Sequence, residues 1–157
     1  MDAIVFKKPE GESWNRSAMQ LNHTRILIVE DEIVVASEIK LRLEAMGYTV
    51  IGIVNNGRDA IMKAELHEPD VILMDITLKG KMTGLEATRE IAKATDIPVI
   101  FITAHTDKTT LDSARAAGSH GIFTKPFSDI ELQAAIQQAI ISKVMKNYLE
   151  DDTDQSN

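Results

Sequence analysis

Five short, unbroken apolar runs recur along the chain, and a stretch with helical spacing follows each one. The first is Arg25–Val29; the others occupy residues 48–54, 71–74, 98–102 and 121–124. Runs of this length, rich in Ile and Val and bounded by polar or turn residues, read as strands. They do not alternate apolar with polar, so both faces of each strand must be covered. The intervening segments supply that cover. Val34, Val35, Ile39, Leu43 and Met46 recur at helical spacing before Gly47, a natural helix stop. Residues 59–67, 85–94 and 109–117 repeat the pattern, the last ending at Gly118, and Ser128 caps a long final helix. Five strands alternating with five helices predict an α/β fold: a doubly wound, five-stranded parallel sheet with right-handed crossovers. In such sheets ligands sit beyond the carboxyl ends of the strands, where the strand order reverses.

Composition narrows the functional classes. A chain of 157 residues is long enough for one domain with a real core. It has no cysteine, which excludes disulfides, thiol catalysis and zinc–thiolate sites and fits a cytoplasmic protein. No apolar run approaches the roughly 18–20 residues needed to span a membrane. Residues 1–20 lack the apolar core of a secretory signal. The net charge of -7 argues against nucleic acid as a partner, because phosphate backbones reward Lys/Arg-rich faces. Pro9, Gly11, Ser13, Asn15, Ser17 and Asn22 are scattered without a period. Residues 1–23 are therefore expected to be a largely disordered extension, 24–142 the folded domain, and 143–157 a helical extension with an acidic tail. Residues 150–157 of that tail are expected to be disordered.

The predicted strand ends carry the chemistry. Glu30 and Asp31 follow the first strand, Asp75 the third, Thr103 and Ala104 the fourth, Lys125 and Pro126 the fifth. Taken singly, each has an ordinary reading: Asp31 as a helix N-cap, Asp75 as a turn residue, Thr103 as a loop hydroxyl, Lys125 as a solvated lysine. Together they put three carboxylates, a hydroxyl and an ammonium on one edge of the sheet. Crowded carboxylates repel and need a counter-charge. A hard divalent cation such as Mg2+ takes oxygen ligands, and a lysine ammonium binds phosphate. A carboxylate in such a setting can act as a covalent nucleophile in phosphoryl transfer.

The segments Ile26-Leu27-Ile28-Val29-Glu30-Asp31-Glu32, Asp70-Val71-Ile72-Leu73-Met74-Asp75, Pro98-Val99-Ile100-Phe101-Ile102-Thr103-Ala104 and Lys125-Pro126-Phe127 are individually weak, but their order and spacing are specific. From about Arg25 to about Lys143 the chain resembles the receiver domain of bacterial and archaeal response regulators. The resemblance implies the strand order 2-1-3-4-5. It implies Asp75 as the acceptor of a phosphoryl group from a histidine kinase. Asp31, Glu30, Asp75 and the backbone carbonyl of Thr77 would hold Mg2+, with Mn2+ as a substitute. Thr103, Ala104 and Lys125 would contact the phosphoryl group, and the Lys125–Pro126 bond would be cis. Thr77 and His105 would flank the acceptor and set how long its phosphate lasts, although His105 also reads as a plain solvent-facing loop histidine. Such a domain takes on and loses its own phosphate and is not a turnover enzyme.

The chain departs from the family pattern at three points. Ile122 stands where receivers carry an aromatic switch residue, and Phe123, one place later, is expected to face the core instead. The loop over residues 76–84 is one residue longer than the common form and carries Lys79 and Lys81, which resembles receivers paired with atypical histidine kinases. The last helix continues an apolar stripe through Ile130, Ala134, Ile136, Ile140, Val144 and Tyr148, so its second half is expected to expose apolar residues. Self-association through residues 107–149 is the first expectation for that stripe. With only about a dozen residues beyond it, the expected protein is a stand-alone response regulator acting through protein contacts near residues 107–142. Two alternatives remain: an interaction module that is never phosphorylated, and a Mg2+-dependent aspartyl-nucleophile phosphatase. Thr77 stands where the phosphatase needs its second acid.

Overall fold

Each of the five apolar runs forms a strand. The structure, a computed structural model, describes residues 23–105 and 107–154. The elements run β1 (Arg25–Val29), α1 (Ile33–Ala45), β2 (Thr49–Val54), α2 (Gly57–His67), β3 (Val71–Asp75), α3 (Gly84–Ala94), β4 (Val99–Thr103), α4 (Lys108–Ala116), β5 (Gly121–Thr124) and α5 (Asp129–Asp154). The sheet is parallel throughout, in the order β2-β1-β3-β4-β5. The order reverses between β1 and β3, which opens the expected crevice at their carboxyl ends.

Successive strand residues point to opposite faces, so each strand feeds two cores. Leu27, Val29, Ile72, Met74 and Phe101 pack with Ala60 and Ala64 of α2, Ala87 and Ile91 of α3 and Ala114 of α4. Ile26, Ile28, Leu73, Ile100 and Ile102 pack on the other side with Ala36, Ile39 and Leu43 of α1 and Leu132, Ala135, Ile136 and Ala139 of α5. Full burial of each large aliphatic side chain stabilises the fold by about 1.5–3 kcal/mol. Ile122 packs on the first side and Phe123 on the second.

Side-chain caps start four of the helices. Asn56, Thr83 and Asp107 accept from the N–H groups of Asp59, Glu86 and Thr110. Ser128 Oγ accepts from the Glu131 N–H at 3.1 Å, and the Glu131 carboxylate accepts from the Ser128 N–H at 3.5 Å, a reciprocal capping box. Helix α1 differs: its N-cap is Glu32, with no side-chain cap bond. Asp31 is therefore not that cap, and its carboxylate is engaged elsewhere.

One boundary differs from expectation. Residues 150–154, read as part of a disordered tail, continue α5. No Gly or Pro interrupts the chain after Pro126, and Lys146 pairs with Glu150 one turn on, so nothing stops the helix at the acidic segment. The N-terminal extension over residues 1–22 and the final 155–157 lie outside the described residues. Among the described residues no helix is long and apolar enough to cross a membrane.

Candidate functional site

Strand register brings the site residues to one level. Val29 is paired with Met74, Asp75 with Ile102, and Thr103 with Thr124. The residues that follow β1 and β5, and the last residues of β3 and β4, thus emerge along a single edge. The start of α3 is pressed against this edge: a Cβ on Gly84 would collide with the carbonyl oxygen of Asp75. Only glycine admits so close an approach.

Glu30 is 2% exposed and Asp75 5% exposed. Lys125 Nζ reaches Glu30 Oε2 at 3.3 Å, and the Glu32 N–H donates to Glu30 Oε1 at 3.3 Å. Burial, and then the neighbouring Asp75 charge, push the Glu30 carboxyl up to about 7, while Lys125 and the Glu32 N–H pull the other way. A single lysine thus does not neutralise this cluster. Asp75 Oδ1 accepts two hydrogen bonds from Thr77, one from its N–H at 2.9 Å and one from its hydroxyl at 3.0 Å. Asp31 Oδ2 accepts from the Lys79 N–H at 3.1 Å, which ties the loop after β3 to the end of β1.

Glu30, Asp31 and Glu32 each offer a carboxylate oxygen within 4.8 Å of the other two. This set of hard oxygen donors, with a buried carboxyl whose charged form is disfavoured, fits a divalent cation. Thr103 is fully buried; its Oγ1 accepts from the His105 N–H at 3.0 Å, and its carbonyl accepts from the Lys125 N–H at 2.9 Å. Ala104 is exposed beside it. The Lys125–Pro126 bond is cis. His105 is exposed and lines a shallow groove of about 420 Å³ with Thr77, Leu78, Leu85 and Thr109.

The structure thus groups Glu30, Asp31, Asp75 and Lys125, and joins Thr103 to Lys125 through the backbone. In this conformation the Thr103 hydroxyl is turned to its own loop. Three contributors escaped the sequence reading. Glu32 had a signal, being a third consecutive acid. Gly84 and the Thr77 hydroxyl had none, because their contacts are made only by the folded loop after β3.

The sequence profile of the response regulator receiver domain matches residues 26–137. The chain belongs to the response regulator receiver family. Among curated relatives, the transcriptional regulatory protein PdtaR of Mycobacterium tuberculosis is 34% identical over 116 residues, covering 74% of this chain and 56% of its own. The phyllosphere-induced regulator PhyR of Methylorubrum extorquens is 35% identical over 118 residues, covering 74% and 43%. The chain thus spans about half the length of the curated relatives it matches. Among solved structures, the receiver domain of a modulated diguanylate cyclase from Desulfovibrio desulfuricans superposes with a TM-score of 0.73 at 34% identity, covering 78% of this chain and 97% of that one. The receiver domain of the sensor histidine kinase PA1611 from Pseudomonas aeruginosa has a TM-score of 0.69 at 35% identity, covering 75% and 98%, and holds a magnesium ion in its active-site cleft. All the candidate site residues of this receiver lie within the matched span. The outer part of α5 lies beyond it.

Proposed function

We propose that this receiver accepts a phosphoryl group from the phosphohistidine of a histidine kinase onto Asp75, in a Mg2+-dependent reaction, and signals through altered protein contacts in the cytoplasm. The observation that carries this reading is the buried, under-neutralised carboxylate cluster at the switch point, with Lys125 3.3 Å from Glu30. Asp31, Glu30, Asp75 and the Thr77 carbonyl would hold Mg2+ or Mn2+. When bound, the ion would supply positive charge to offset that of the carboxylates and the phosphoryl oxygens.

The chain's own groups account for the rest. Thr77 engages Asp75 Oδ1 twice, which orients the carboxylate that would attack phosphorus. The new O–P bond forms as the N–P bond breaks, and the bonding electrons return to the kinase imidazole. Lys125 supplies a compact cation at the same edge, and Thr103 and the Ala104 N–H supply donors for the phosphoryl oxygens. Thr77 and His105 flank the acceptor, where they limit the approach of water and so set its lifetime.

Incubation with Mg2+ and a small phosphodonor tests the reading. The expected result is one base-labile phosphate per wild-type chain and none on Asp75→Asn. No mass gain on the wild type would overturn it. Continuous turnover of phosphate esters would replace it with the phosphatase.

A further inference from the structure

Helix α5 has two apolar faces. Leu132, Ala135, Ile136 and Ala139 are buried against the sheet. Two turns after Ala139, on the same side, Lys146 Nζ meets Asp96 at 3.6 Å, so this side still faces the domain far along the helix. Ile141, Val144, Met145, Tyr148 and Leu149 recur three and four residues apart on the opposite side and are exposed. A contiguous exposed stripe of this kind marks an interaction surface.

We propose that the stripe pairs with the same stripe of a second copy, the two helices running antiparallel about a two-fold axis. A two-fold contact must be self-complementary, and the sequence around the stripe meets that condition in one orientation. With Val144 opposite Met145 of the partner subunit, Ile141 meets the partner's Tyr148. The same register sets Gln137 and Gln138, uncharged amides with N–H donors, opposite Asp152 and Asp151 of the partner subunit. Parallel pairing would instead stack Asp151 and Asp152 on their own copies, where like charges repel. Because the stripe faces away from its own domain, the two domains lie on opposite sides of the helix pair and do not collide. Each chain carries a net charge of -7, so moderate salt should tighten the pair by screening the repulsion.

Sedimentation of the full chain over a concentration series reads the dimer. Val144→Glu should raise its dissociation constant about tenfold or more; Tyr148→Ala, which introduces no charge, should raise it less, with unchanged circular dichroism in both. The orientation is read by mixing Ile141→Cys with Tyr148→Cys in this otherwise cysteine-free chain. Preferential oxidation to the mixed disulfide is expected. Preferential 141–141 and 148–148 bonds would overturn the antiparallel arrangement. A chain that stays monomeric at every concentration, whether its own residues 1–22 or a foreign protein covers the stripe, would overturn the proposal outright.

Discussion

The strand-end edge and the outer half of α5 break the usual partition in opposite directions. At the edge, charge is buried: Glu30 and Asp75 are almost inaccessible, and Lys125 pairs with Glu30. On α5, apolar surface is exposed: Tyr148 is 57% and Leu149 61% accessible. Each arrangement lowers the stability of the isolated chain, and each would be relieved by a ligand of matching chemistry. A cation and a phosphoryl group suit the first; a second apolar surface suits the second. The edge lies inside the span that the receiver profile matches, whereas the outer helix lies beyond it. Misplaced polarity thus marks both surfaces, and its sign sets the kind of ligand proposed for each.

The largest effect should come from forcing the edge apart. Gly84→Val drives a side chain into the Asp75 carbonyl and should lower stability by about 3 kcal/mol or more, read by denaturant unfolding. A variant as stable as wild type would mean that α3 is not pressed on the site. Next, the two faces of α5 should respond unequally. Leu132→Ala should cost about 2–5 kcal/mol, whereas Leu149→Ala in the monomer should stay within about 0.5 kcal/mol. Equal losses would erase the contrast between the faces.

The buried charge should show itself through pH. Glu30 titrates near 7 in the folded chain against an ordinary 4.5, so its neutral form favours folding at low pH, and that stability is lost as pH rises through about 7. In chelator, Glu30→Gln stays neutral. Its stability relative to wild type should therefore grow between about pH 5 and about pH 8, by on the order of 2 kcal/mol. A difference that stays flat with pH would show that burial does not strain Glu30. A small effect should follow Thr77→Ala, which removes one exposed hydroxyl donor to Asp75 and should cost about 1 kcal/mol or less in thermal unfolding.

Much of the fold was legible because unbroken Ile/Val runs and helical spacing are local signals. The edge residues were legible because a parallel sheet carries every strand end to one side. Two strands run one residue further than the apolar pattern: β3 includes Asp75 and β4 includes Thr103, since hydrogen bonding to neighbours continues past the last apolar side chain. What escaped depends on contacts distant in sequence or made in a loop. Asp31 looks like a cap but accepts from Lys79, and Gly84 looks like an ordinary turn glycine until α3 is docked. The acidic tail read as disorder because composition hides the continuity of a helix without breakers.

The most direct test of the account is the intact mass of the protein after incubation with Mg2+ and a small phosphodonor. The account predicts one added phosphoryl group, lost in base and in chelator-treated reactions, absent from Asp75→Asn and reduced in Asp31→Asn. An unchanged wild-type mass, or a phosphate that persists on Asp75→Asn, would contradict it.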